Sequence, residues 1–108
     1  MKRFITAILA TLAVLAGPVR AQADAQQAYQ QAKAAYEAGQ FEEAEALAEK
    51  ATQTDPGNPE TFLLLGKAAY QRGRLAEAMT AWARTLALAP DQPFAARMLD
   101  RLRTAQVE

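Results

Sequence analysis

Glu42, Glu43, Glu45 and Glu49 are the densest group of ligand or acid–base candidates in the chain. Clustered carboxylates could hold a divalent cation or move a proton. Calcium, however, takes roughly six to eight oxygens from a shaped loop, whereas these glutamates recur among alanines at helical intervals and read as a solvated helix face. No histidine and no cysteine occur in the 108 residues. Their absence removes disulfides, thiolate and imidazole metal sites, and the two commonest catalytic side chains. The sequence has no glycine-rich phosphate loop, no Ser-His-Asp set and no zinc spacing. No carboxylate pair falls where a cleft is expected, so the chain reads as a non-enzyme with no metal and no cofactor. Trp82, the single tryptophan, lies on an apolar helical face and is assigned to the core. Arg72 and Arg74 flank Gly73 and read as loop charges. The remaining side chains with chemical character are tyrosines and cations, which recognise more often than they react.

These side chains must be carried by helices. Alanine, leucine, glutamate, glutamine and arginine dominate, and valine and isoleucine are nearly confined to the first fifteen residues. That composition favours helix and disfavours strand. Twelve basic residues balance twelve acidic ones, so net charge gives no general attraction to nucleic acid.

The N-terminal segment differs from the rest. Lys2-Arg3 precedes an apolar run from Phe4 to Ala16, then Gly17-Pro18, where a helix break is expected, and Val19-Arg20-Ala21 in the pattern of a cleavage site. This is the layout of a secretory signal peptide over residues 1–21, with a second cut available after Ala23. The apolar run of 13 residues falls short of the roughly 20 that span a bilayer as a helix. A periplasmic location is therefore expected, with no membrane span after cleavage. An uncleaved N-terminal anchor facing the periplasm is the alternative. Cleavage removes Lys2, Arg3 and Arg20, which leaves nine basic and twelve acidic residues, a net charge of −3. Residues 22–59 carry two lysines against seven acids, and residues 60–108 carry seven basic residues against five acids. Such asymmetry can steer a partner.

Shifted by 34 residues, the remainder superposes on itself without a gap. Ala34-Ala35-Tyr36 meets Ala68-Ala69-Tyr70, Gly39 meets Gly73, Phe41 meets Leu75, Glu43-Ala44 meets Glu77-Ala78, Pro56 meets Pro90 and Pro59 meets Pro93. Each unit reads as two helices. In the second, Asn58 caps a helix that opens on Pro59 and carries Phe62, Leu65, Gly66 and Ala69 on one face, and Gly73 ends it. Leu75, Ala78, Met79, Trp82 and Leu86 form the apolar face of the next helix, and Pro90 stops it. The first unit has Ala28, Ala32 and Ala35, a break at Gly39, then Phe41, Ala44, Ala48 and Ala51. A fifth helix from Pro93 carries Phe94, Met98, Leu99 and Leu102.

The period and pattern resemble the tetratricopeptide repeat (TPR). Phe62, Leu65-Gly66, Ala78, Trp82 and Pro90 match its signature in the second unit. The first unit keeps Ala32, Ala44 and Pro56 but has Ala28 and Ala48 where bulk is usual. Tyr36 and Tyr70 stand one residue past the signature tyrosine. The resemblance implies an all-α fold of antiparallel helix-turn-helix repeats. It consists of the signal-peptide helix, TPR units at 25–58 and 59–92, and a C-terminal capping helix at 93–105. It also implies a concave groove lined by the first helix of each pair, with Tyr29, Lys33 and Tyr36, then Leu63, Lys67 and Tyr70, then Phe94, Arg97 and Arg101. Gln26 and Glu60 lie at its edge. The implied function is protein–protein interaction: an adaptor or accessory subunit of an envelope assembly that takes a peptide or helix segment, with acidic residues or a free carboxylate, in that groove. The alternative is a structural or oligomerising element with no groove ligand. Repeats of this kind bury their faces against neighbours, and two are few, so burial of the thin first unit against a second copy or a larger partner is also expected.

Overall fold

The computed structural model describes the backbone of residues 2–107 and the side chains of residues 19–106. Five helices follow one another, and no strand occurs among the described residues: α1 (Lys2–Glu37), α2 (Phe41–Thr54), α3 (Pro59–Gln71), α4 (Leu75–Leu88) and α5 (Pro93–Val107). The helices pair as α1 with α2 and α3 with α4, α3 packs back on α2, and α5 closes the row against α4. Among the described residues no helix is long and apolar enough to cross a membrane.

The 34-residue period is a property of the backbone as well as of the side chains. Gln40 and Arg74, which precede α2 and α4, share φ −89° and ψ 73°. Gly39 and Gly73 sit at φ 79° and 76°, left-handed values that an L side chain rarely adopts. Around each glycine the same carbonyls are used. Gln40 N–H donates to Ala35 O and Arg74 N–H to Ala69 O, both at 2.9 Å. The caps follow the residue chemistry. Asn58 Oδ1 accepts from Glu60 N–H at 3.0 Å with Pro59 at the first helical position, and Gln92 Oε1 accepts from Ala95 N–H at 2.8 Å at the start of α5.

The helix across Gly17-Pro18 corrects an expectation. Helix α1 is continuous from Lys2 to Glu37, so Pro18 forgoes one backbone donor without ending the helix. A proline inside a helix costs about 3 kcal/mol, and strong helix formers on both sides keep the backbone helical through it. The signal-peptide reading of residues 1–21 rests mostly on side chains outside the described ones.

Two kinds of packing hold the repeats. In the first unit Ala28, Ala32, Ala35, Ala44, Ala48 and Ala51 are all buried; small side chains let α1 and α2 approach closely, which offsets their lack of bulk. In the second unit the core is built on Trp82, fully buried. Its Nε1–H donates to Leu63 O at 3.3 Å, and its ring lies 5.8 Å from Tyr70 and 5.7 Å from Phe94. Leu63, Leu64, Gly66 and Ala69 are buried on α3. Phe62 and Leu65, expected on the buried face, are only half-buried. Leu75, expected in the core, is exposed. The buried arc of α3 is therefore centred on Leu63-Leu64, because α3 packs both backwards on α2 and forwards on α4.

The acidic cluster also departs from expectation. Glu42, Glu43 and Glu49 are exposed, but Glu45 is 6% exposed. Arg72 Nη1 lies 2.7 Å from Glu45 Oε2 and Arg74 Nη1 lies 2.8 Å from Glu45 Oε1. The two arginines are thus not free loop charges. They cross from the α3–α4 turn to α2 and tie the repeats together. The hydrogen bond to Glu45 raises the Arg72 guanidinium above its ordinary range. Glu77, in the first turn of α4, is held below the usual carboxylate range by a backbone N–H and by Arg74.

A Cβ at position 66 would overlap the indole of Trp82. Alanine is favoured over glycine by about 1 kcal/mol in a helix interior, so propensity alone predicts that Gly66→Ala stabilises. Overpacking of a filled core costs about 1–3 kcal/mol and wins here, because the ring is wedged between Tyr70 and Phe94. We expect a net loss of about 2 kcal/mol in urea unfolding for Gly66→Ala. Gly57→Ala, with no neighbour nearer than 3.7 Å, should change stability by less than about 0.5 kcal/mol.

Candidate functional site

Helices α1 and α3 lie side by side, each the first of its pair, and their facing residues form a pocket of about 190 Å3. Tyr29, Lys33, Tyr36 and Glu37 come from α1, and Glu60, Leu63, Leu64 and Lys67 from α3. The helical spacing accounts for this. Residues 29, 33, 36 and 37 share one stripe of α1, and 60, 63, 64 and 67 share one stripe of α3. Five of the nine groove residues expected from the sequence therefore meet: Tyr29, Lys33, Tyr36, Leu63 and Lys67.

The others surround it less closely. Tyr70 is 37% exposed with its ring tilted against Trp82. Phe94 is half-buried, edge-on to Trp82, with Lys67 Nζ 4.7 Å above its ring centroid. Arg97 and Arg101 are exposed on α5. None of these four lines the pocket itself.

Leu63 is a correction. It is only 6% exposed and belongs to the core around Trp82, so it offers an edge to the groove and not a free side chain. Its carbonyl receives the indole N–H, and that bond draws this stretch of α3 towards α4. Glu37 and Leu64 line the pocket without having been expected. Glu37 was legible in the i, i+4 series 29, 33, 37. Leu64 was not, because its position depends on α3 leaning against Ala32 and Ala48 of the first unit.

The electrostatics are mixed. Lys33 and Lys67 face Glu37 and Glu60 across one small space. Lys33 is exposed, whereas Lys67 is tied by a cation–π contact that contributes about 0.5–1 kcal/mol. The Tyr29 hydroxyl is raised above its ordinary value, first by burial and then by the negative charge of Glu60. An apolar floor with charges of both signs at its rim can seat one large side chain and orient the segment that carries it.

The Tetratricopeptide repeat family model matches residues 35–102. The chain belongs to the tetratricopeptide repeat family. The match runs from the end of α1 through α5 and includes both glycine turns, Trp82 and Pro90. TPR repeats generally mediate protein–protein interaction, and the family is an interaction module and not a class of enzymes. No curated protein matches the chain.

If Tyr29 and Glu60 face each other as described, Glu60→Gln removes the negative charge that opposes phenolate formation. Tyr29 should then titrate at lower pH than in the unaltered chain, while still above the ordinary tyrosine value of 10.0 because burial is the larger cause. Ultraviolet titration of phenolate against a Tyr29→Phe control reads this shift. An unchanged curve would separate the two residues.

Proposed function

We propose that this TPR chain is a periplasmic adaptor that holds a segment of another protein in the groove between α1 and α3. The observation that carries the reading is the pocket where Tyr29, Tyr36, Leu63 and Leu64 supply apolar contact and Lys33 and Lys67 supply cations. Tyrosine is among the residue types that most often carry binding energy, and its ring is ordered at little entropic cost. Half-buried Tyr29 and Tyr36 are already held, Tyr36 by an edge contact with Phe41 at 5.4 Å, so binding need not order them. The partner segment carries an aromatic or branched apolar anchor beside an acidic residue or its own terminal carboxylate. The acid meets Lys33, Lys67 and, further along, Arg97 and Arg101. Glu37 and Glu60 reject a segment that is acidic throughout.

Export is supported by Lys2-Arg3, the apolar run to Ala16 and the small residues at Val19 and Ala21. The protein recovered from a periplasmic fraction should have Gln22 or Asp24 as its first residue by mass spectrometry. Recovery of a chain beginning at Met1 from the cytoplasmic fraction alone would refute export.

Crosslinking in the native envelope identifies the partner, and a synthetic peptide of the crosslinked segment then gives an affinity. Reversing Lys33 and Lys67 to glutamate should weaken that peptide at least roughly tenfold, since like charges at an interface cost several kcal/mol. Equal affinity for the reversed protein, with its helix content intact, would refute the groove.

A further inference from the structure

The largest cleft among the described pockets, about 710 Å3, lies away from the concave groove. It is bounded by the second helices of the two repeats, α2 and α4, and floored by Phe62 and Leu65 of α3. These two residues sit about half a turn round α3 from Leu63 and Lys67, so the cleft opens on the opposite face. Along α4 it runs from Ala76 to Ala87, about 16 Å at the helical rise.

Its shape and chemistry select a helix. The α4 wall presents Ala76, Thr80, Ala83 and Ala87 on one exposed line, which permits a second helix axis to approach to about 8 Å. An extended segment would bring its backbone donors and acceptors against alanines that cannot satisfy them, whereas a helix satisfies its own. Half-buried Phe62 and Leu65 give that helix an apolar seat.

The rim charges select which helix. Glu77 is half-exposed and has one long contact, 3.4 Å to Arg74. Arg84 lies 5.8 Å over the Phe62 ring and makes no ion pair among the described residues. Both stand on the same flank of α4 and both line the cleft. Under a two-fold axis through the middle of α4, Ala76 opposes Ala87 and Thr80 opposes Ala83. Glu77 and Arg84 are centred within one residue of the same midpoint. An antiparallel copy of α4 therefore brings small residues against small residues and each acid beside the other copy's base.

We propose that the α2–α4 cleft is a homodimer interface in which α4 of a second copy packs antiparallel on α4, with Glu77 of each protomer beside Arg84 of the partner subunit. The contact is isologous and closes at two subunits. It leaves both concave grooves uncovered, so the dimer presents two peptide sites at a fixed separation and gains avidity for a repeated or dimeric partner.

Sedimentation equilibrium of the full chain over micromolar to roughly 100 µM concentration tests this, because interfaces of modest area fall within that affinity range. A monomer–dimer equilibrium is expected. Glu77→Arg and Arg84→Glu should each weaken dimerisation at least roughly tenfold by placing like charges together. The double reversal restores opposite charges and should restore the dimer. It lacks the same Arg74 and Phe62 contacts as the single variants, so recovery reports the intersubunit pair and not local packing; circular dichroism checks that each variant remains helical. A chain that stays monomeric throughout, a dimer indifferent to the single reversals, or a double variant no better than the singles would each overturn the proposal.

Discussion

The indole of Trp82 occupies the space that a side chain at position 66 would need. Much of the second repeat follows from that one close approach. With no Cβ at Gly66, α4 can lie against α3 near enough for the indole N–H to reach Leu63 O. The same seating presents the ring faces and edges to Tyr70 and Phe94, so the ring joins α3, α4 and α5 into one core. Phe94, fixed in this way, is the surface over which Lys67 is held. A packing constraint in the interior thus sets the position of a cation at the groove. The site is an outward consequence of the core, as expected where functional side chains ride on rigid helices.

The first repeat has no comparable ring and solves the problem with small residues and one buried charge. Its alanines gain little from burial individually, since each removes only a small apolar area from water. Their value is the short distance they allow between α1 and α2. Glu45 supplies the cross-link to the next unit. A carboxylate with little access to water is costly when alone, but two guanidinium groups hold its two oxygens. Both arginines remain partly solvated, so they are less penalised than the acid they neutralise. The pair of repeats is joined by aliphatic contact through Leu64 on one side and by this ionic bridge on the other.

The sequence made the architecture legible because each element carries its own punctuation. Gly39 and Gly73 could end helices only in the left-handed conformation they adopt. Asn58-Pro59 could hardly be anything but a helix start, and a lone tryptophan on an apolar stripe had few places to go. The period then fixed which helices are equivalent, and so which residues share the groove. Features that depend on distance across the fold were not legible. Nothing local distinguishes Glu45 from Glu42 or Glu49; the difference lies in Arg72 and Arg74, 27 and 29 residues away. Leu63 looked like a groove residue by spacing, but α3 is packed on two sides, and a helix buried on two sides has no single apolar stripe to read. Pro18 misled for the opposite reason: a local rule about proline was outweighed by the helical preference of the long run around it.

The two surfaces of the molecule differ in kind. The concave pocket is small, mixed in charge and walled by tyrosines that are already ordered, properties that favour recognition of one side chain in a defined setting over broad adhesion. The cleft between α2 and α4 is larger, shallower in chemistry and self-complementary about the centre of α4. If one helix row served both, binding at one would compete with the other. Because the residues alternate around α3, with Leu63, Leu64 and Lys67 to one side and Phe62 and Leu65 to the other, a single helix floors both surfaces without sharing a side chain between them. That division lets the chain hold a ligand and a second copy at the same time, and α3, locked by Trp82 in front and by Leu64 behind, is the rigid element against which both are positioned.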